Sequence, residues 1–218
     1  MITIDGPAGA GKSTAARLLA RRLGYKLVPT GMMYRAVAFG VLRDGAPRHE
    51  GPELSAYLAS VEVRMADGRV LLNGVDVTAE VQSQEVAQAT SLLTMLPVVR
   101  EKVTPLQRRE AAGGGAILEG RDTGTVVWPE AEVKFFLTAS LEARARRRHA
   151  ELIARGVSRP LGAVREELRA RDEQDTTRAL APLRRAPGAI ELDTSDLTMD
   201  EVVERMLAEV ERKCSTGR

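Results

Sequence analysis

The densest chemistry in this 218-residue chain is the run Gly6-Pro7-Ala8-Gly9-Ala10-Gly11-Lys12-Ser13-Thr14. It fits G-x-x-x-x-G-K-[S/T], the phosphate-binding loop of nucleoside triphosphate sites. Glycines let the backbone wrap a phosphate without Cβ clashes, and the loop amides and helix N-terminus then face negative charge. Lys12 is placed to reach the β- and γ-phosphates, and the Ser13 hydroxyl to ligate Mg²⁺. The competing reading is a Gly-rich turn before an ordinary helix. The flanks decide against it: Ile2-Thr3-Ile4-Asp5 reads as a strand, and Ala16, Leu19, Ala20 and Leu23 recur at helical spacing.

Three further groups could carry chemistry. Arg121-Asp122 follows an apolar run, so Asp122 is a magnesium-binding carboxylate, a substrate hook, or half of a local surface pair with Arg121. Arg171, Asp175 and Arg178 stand at i, i+4 and i+7, on one face of a helix, where an intrahelical salt-bridge stripe is the plainer account. Tyr34-Arg35 falls in the helix after the second strand, where an Arg by itself is more often a solvated face. Twelve arginines lie between Arg144 and Arg185. They fit either a mobile Arg-lined lid that excludes water from a phosphoryl group or a solvated helix. His49 and His149 sit in polar surroundings and receive no role.

The elements that must position these groups alternate between strand and helix. Strands are expected at residues 1–5, 26–28, 116–118, 133–137 and 189–193, the fourth apolar on both faces like a central parallel strand. Helices are expected at 12–23 (stopped by Gly24), 32–42, 53–60, 97–112, 140–155 and 163–175, and a last one carries Val203, Met206, Leu207 and Val210. Thr78 is expected to cap a helix presenting Val81, Val86, Ala89 and Leu93. Residues 61–77 change to a period of two, broken by Asp67-Gly68 and Asn73-Gly74, and read as a small antiparallel meander. The pattern predicts an α/β fold: a five-stranded parallel sheet with helices on both faces and an inserted meander. Ligands in such folds sit outside the carboxyl ends of the strands, which gathers the phosphate-binding loop, Thr30 and Arg121-Asp122 at one rim.

Bulk composition narrows the setting. Hydrophobic residues make up 44% and charged residues 28%, ordinary for a soluble globular protein, and the length suits one domain. No apolar run has the length of a membrane span, and the lone Cys214 makes no internal disulfide or metal cluster. A cytoplasmic protein is expected. A net charge of +2 gives no general drive toward nucleic acid. Only five of the 32 basic residues are lysine, so arginine matters here by position rather than number.

Nearly end to end, the chain resembles the bacterial cytidylate kinases, of the nucleoside monophosphate kinase family. The resemblance rests on Ile4 to Ser13, Thr30-Gly31-Met32-Met33-Tyr34-Arg35, Gly120-Arg121-Asp122-Thr123-Gly124-Thr125-Val126-Val127-Trp128-Pro129 and Arg171-Asp172 through Arg178-Ala179-Leu180-Ala181-Pro182-Leu183. The last two runs are far more specific than the phosphate-binding loop. What it implies is transfer of the γ-phosphoryl group of ATP to CMP or dCMP, giving CDP or dCDP and ADP, with Mg²⁺ accompanying ATP. Arg35 and Arg121 would hold the acceptor phosphate, and Asp122 would accept from the cytosine amine. Ser91 and Arg100 would bond the N3 and O2 edge, and Thr30 would line the same pocket. Arg171 and Asp175 would reach the ribose, and Arg178 the sugar–phosphate region. Lys12, Arg121 and Arg178 would be the catalytic cations. Residues 30–112 would form the monophosphate-binding region and 155–165 a lid over ATP, within one domain spanning 1–218. Small molecules are the implied partners, without nucleic acid or membrane, and a monomer is expected because no large apolar stripe is evident. Two positions depart from the family pattern: Pro29, where relatives commonly carry Asp, and Gln82, where an Arg is common. Other small-acceptor kinases (for UMP, AMP or dephospho-coenzyme A) remain competing readings. A GTPase switch lacks its N-K-x-D motif here, and a nucleic-acid-bound ATPase lacks a basic field.

Overall fold

The computed structural model describes residues 1–66 and 68–216, and side chains through Lys213. The chain divides into two compact units, Met1–Lys26 with Gly115–Arg218, and Leu27–Gly114. Among the described residues no helix is long and apolar enough to cross a membrane.

A five-stranded sheet runs in the order β2-β6-β1-β7-β8, with β1 at Ile2–Asp5, β2 at Lys26–Pro29, β6 at Ala116–Glu119, β7 at Val133–Thr138 and β8 at Ile190–Asp193. β1 pairs in parallel with β6 and β7, and β7 with β8. Every residue of β1 and β6 is buried, including Thr3 and the charged residues Asp5 and Glu119 that end the two strands. β7 differs from the expectation of two buried faces. Val133, Phe135 and Leu137 are buried, whereas Lys134, Phe136 and Thr138 are half-buried.

Helix α1 (Lys12–Leu23) opens at the phosphate-binding loop and ends at Gly24, whose φ of 67° is the left-handed stop its sequence announces. α6 (Leu141–Ala154) is capped by Ser140, which accepts from the Ala143 amide. α7 (Leu161–Thr177) starts two residues earlier than its periodicity suggested, just after Pro160. α8 (Met199–Thr216) buries Val203, Met206 and Val210 as expected, and Val202 as well, while Leu207 is only half-buried.

The second unit packs four helices, α2 (Thr30–Arg43), α3 (Pro52–Ser60), α4 (Gln84–Leu93) and α5 (Pro97–Ala111), with an antiparallel meander of β3 (Val63–Ala66), β4 (Arg69–Leu72) and β5 (Val75–Asp76). Asn73 and Gly74 both have positive φ, 49° and 81°, so the second turn has the primed geometry that suits the strand twist. The first expected turn falls partly outside the described residues, at Asp67. The helix expected from Thr78 is two elements: a 3₁₀ turn at Glu80–Gln82, then α4 capped by Ser83. Thr78 is unavailable as a cap because its hydroxyl accepts the Val70 amide of the meander at 3.0 Å. Val81, Val86, Ala89 and Leu93 nonetheless share one buried cluster. α2 starts at Thr30 rather than Met32, and Pro29 occupies its N-cap position without a side-chain bond.

Candidate active site

In the first unit the site is built from strand ends. β1 delivers Gly6 beside β7, where a Cβ on residue 6 would lie 2.0 Å from the Leu137 carbonyl oxygen, so only glycine fits. Gly11, at φ 85°, is the N-cap of α1 and turns the chain so that Lys12 begins the helix. Lys12 is buried and its Nζ donates to the Pro7 carbonyl at 2.7 Å. Burial, and then the Arg121 and Arg171 guanidinium groups, push its pKa down to about 7, against the opposing pull of Glu119 and Asp175. A lysine that holds its proton this loosely amid other cations is a strained group of the kind that clusters at functional sites.

The Arg121-Asp122 pair does not behave as a local surface pair. Arg121 Nε donates to Asp175 Oδ2 at 2.8 Å, and Asp122 is buried. Burial works against the charge of Arg121, but the Asp175 carboxylate outweighs it and holds the guanidinium above its ordinary pKa. Asp175 is likewise opposed by burial, yet Arg121, Arg171 and Arg178 hold its carboxyl below the usual carboxylate range. The 171–178 segment is thus more than an intrahelical stripe, since Asp175 pairs with Arg121, two residues beyond β6. Arg178 is not a continuation of the same helix face. α7 ends at Thr177, and Arg178 turns to an extended backbone with its Nη1 3.7 Å from Asp175 Oδ1 and its Nε donating to the Ala181 carbonyl.

Several side chains of this cluster carry no local signal. Asp5 ends β1 and accepts three bonds, from the Thr123 amide and hydroxyl at 2.8 Å each and from the Gly124 amide at 2.7 Å. It thereby fixes the turn that follows Asp122, a π-helical turn over Thr123–Val127 in which the Asp122 carbonyl accepts the Val127 amide at 3.2 Å and the Thr123 carbonyl accepts the Trp128 amide at 2.7 Å. Burial raises the Asp5 pKa to about 6 despite these bonds. Glu119 and Arg144 are also buried. The one available hint was that Asp5 and Glu119 directly follow apolar runs, whereas Arg144 stands in an arginine-rich segment that gives none.

In the second unit Arg35 Nη1 donates to the Val81 carbonyl at 2.7 Å. Arg100 is buried, donates to the Thr94 carbonyl at 3.2 Å and lies over the Tyr34 ring, 5.7 Å from its centroid. Thr30 is buried and its carbonyl accepts from Gln107 at 3.4 Å. Ser91 is half-buried on α4, and its carbonyl accepts the Thr94 hydroxyl. Gln82 reaches the Met32 sulfur at 3.5 Å. Residues 155–160 join α6 to α7, with Gly156 at φ 74°, and residues 161–165 already belong to α7.

The family model described as cytidylate kinase matches residues 2–212. The chain belongs to the cytidylate kinase family. A cytidylate kinase of Pelotomaculum thermopropionicum is 49% identical over 100% of this chain and 96% of its own length. That of Geobacillus kaustophilus is 46% identical over 94% of each, and that of Desulfitobacterium hafniense 45% identical over 99% of this chain and 94% of its own. Coverage is nearly complete on both sides, so the likeness includes the meander and α7 as well as the phosphate-binding loop. Membership in the cytidylate kinase family makes the chain a phosphotransferase of the nucleoside monophosphate kinase class.

Proposed function

We propose that this chain transfers the γ-phosphoryl group of ATP to CMP or dCMP, as a cytoplasmic monomer. The observation that carries the reading is the Lys12–Arg121–Asp175 cluster, at the helix N-terminus of a phosphate-binding loop, in a chain of this family. An oxygen of the CMP phosphate attacks the γ-phosphorus in line. The bond from that phosphorus to the bridging β-oxygen breaks, and ADP leaves. No general base is needed because the acceptor phosphate is already an anion. Lys12, Arg121 and Arg178 stabilise the charge spread over the transferring group.

No set of three or more His, Cys, Asp or Glu side chains among the described residues could hold a metal. Ser13, exposed in the first turn of α1, offers a hydroxyl. That donor set suits Mg²⁺ held mainly by phosphate oxygens, which would neutralise charge across the β- and γ-phosphates. Gly6 to Thr14 would bind ATP. Thr30, Arg35, Ser91, Arg100, Arg121, Asp122, Arg171, Asp175 and Arg178 are the groups proposed to bind the acceptor, and residues 155–165 the lid.

Base choice is the sharpest part of the proposal. Cytosine presents an amine donor at C4 and an acceptor at N3, and uracil presents the reverse. Against UMP, Asp122 would face O4 and Arg100 an N–H. Each mismatched buried group costs about 1–3 kcal/mol, so discrimination is expected to reach roughly 10³. The test is kcat/KM for CMP, dCMP, UMP and AMP with Mg-ATP, on wild type and Asp122→Ala. A wild type using UMP within about threefold of CMP, or an unchanged ratio in Asp122→Ala, would return Asp122 to a magnesium or structural role.

A further inference from the structure

The amides of a phosphate-binding loop can face a ligand only if its carbonyls are turned away and satisfied elsewhere. Three carbonyls of this loop have side-chain donors. Pro7 accepts from Lys12 Nζ at 2.7 Å, Ala8 from Arg144 Nη1 at 3.1 Å, and Ala10 from Thr194 Oγ1 at 3.1 Å. The Lys12 bond is local and competes with the lysine's work on phosphate. Arg144, by contrast, comes from α6, 136 positions away, and is buried. It spends its other donors on the Ala139 carbonyl at 3.0 Å and on Asp172 Oδ2 of α7 at 2.6 Å. The loop also rests on it by contact: a Cβ on Gly9 would meet the Arg144 Cβ at 3.1 Å, and Ala8 packs against the Ala145–Val164–Leu168 cluster of α6 and α7.

We propose that Arg144 is a positioning residue for nucleotide binding, orienting the Ala8 peptide and with it the neighbouring loop amides, and that Asp172 acts through it by fixing the guanidinium. A guanidinium meets three acceptors in three directions, while an ammonium on a flexible stem cannot hold the same fork. The inference rests on the nucleotide-binding reading above but not on the identity of the acceptor.

The experiment measures Mg-ADP affinity by calorimetry on wild type, Arg144→Lys, Asp172→Asn and the double variant, with thermal melting of each ligand-free protein. Arg144→Lys is expected to weaken Mg-ADP binding about tenfold, equivalent to losing one charge-assisted bond. Asp172→Asn is expected to weaken it less. The double variant is expected to be no worse than Arg144→Lys alone, because Asp172 has nothing left to orient. A purely structural role would lower the melting temperature and leave the affinity of the folded protein intact, and that result overturns the proposal. Additive losses in the double variant would overturn the part assigned to Asp172. A wild type that does not bind Mg-ADP would remove the nucleotide reading itself, and this inference with it.

Discussion

The two units bury different things. The interior of the first contains Asp5, Lys12, Glu119, Asp122, Arg144 and Asp175 among its strands and helices. The second closes on an apolar cluster from Met33 through Leu58, Val63, Leu72 and Val86 to Val103. Their titrations differ accordingly. In the first unit Asp5 and Lys12 are pushed to about 6 and about 7, in both cases chiefly by burial. In the second, the shifted groups are the exposed Arg43, Asp44 and Asp76, together with the half-buried Tyr57 that bonds Asp44. Electrostatic strain is concentrated where phosphate would bind, while the second unit, which buries Arg100 as its one charge among the described residues, is held mainly by hydrophobic burial. That contrast fits the proposal that the charged ligand's phosphates are held in the first unit.

The largest effect that would break this comparison is on turnover. Lys12→Ala is expected to leave the protein folded and to lower kcat by about 10²–10³, the usual cost of one preorganised contact to a developing charge. Steady-state kinetics with circular dichroism on the same sample checks it, and a near wild-type kcat would undo the assignment of the loop. In the second unit, Leu72→Ala is expected to cost about 2–5 kcal/mol of stability by leaving a cavity. Urea titrations at pH 7 and pH 9 would find that cost the same, because the cluster around Leu72 is made of apolar residues and tyrosine, with no carboxylate, lysine, arginine or histidine in it.

The first unit is expected to respond to pH. A lysine whose folded pKa is depressed releases its proton in the folded state first. Between about pH 7 and 10 the unfolded chain therefore binds more protons, and stability rises with pH. Asp5 acts in the other direction: its folded pKa is raised, so its contribution is present below about pH 4 and is lost as pH rises through about 6. Together the two groups make the ligand-free protein least favoured near neutrality, and stability measured at pH 9 is expected to exceed that at pH 7. Lys12→Met is expected to abolish the gain and to stabilise the ligand-free protein at pH 7, since it removes the desolvated charge. A wild type with no rise between pH 7 and 9 would show that Lys12 is not strained.

How much of this was legible in the sequence follows the same divide. The phosphate-binding loop, the Gly24 stop, the Asn73-Gly74 turn and the alternation of strands with helices are local patterns, and all of them hold in the structure. What escaped was set by partners distant in the chain. Thr78 reads as a cap until Val70 takes its hydroxyl, and Ser83 then caps α4. Arg121-Asp122 reads as a neighbouring pair until Asp175, 54 residues on, takes the arginine. Asp5 gives no sign of the Thr123 and Gly124 amides it accepts 118 and 119 positions away, nor Arg144 of Ala8. β7 reads as apolar on both faces, yet Lys134, Phe136 and Thr138 are only half-buried, because the spacing of residues does not report what covers each face of a sheet.

One substitution made in both units sharpens the comparison at its fine end. Gly124 has no unusual φ, but a Cβ there would lie 2.8 Å from Thr3 Oγ1 and 3.3 Å from both Ala186 Cβ and Asp5 Oδ2. Gly124→Ala is therefore expected to cost about 1–3 kcal/mol by overpacking. It is also expected to lower kcat/KM, because the Asp5 bonds that set the turn after Arg121-Asp122 must shift. Gly74 faces open space, and its difficulty is the backbone alone, at φ 81°. Gly74→Ala is expected to cost only about 1 kcal/mol, from the left-handed conformation, and to leave kcat/KM at its wild-type value. Melting curves and kinetics on the two variants separate the cases. If Gly74→Ala impaired turnover as much as Gly124→Ala, the meander would belong to the catalytic machinery rather than to the apolar packing of the second unit.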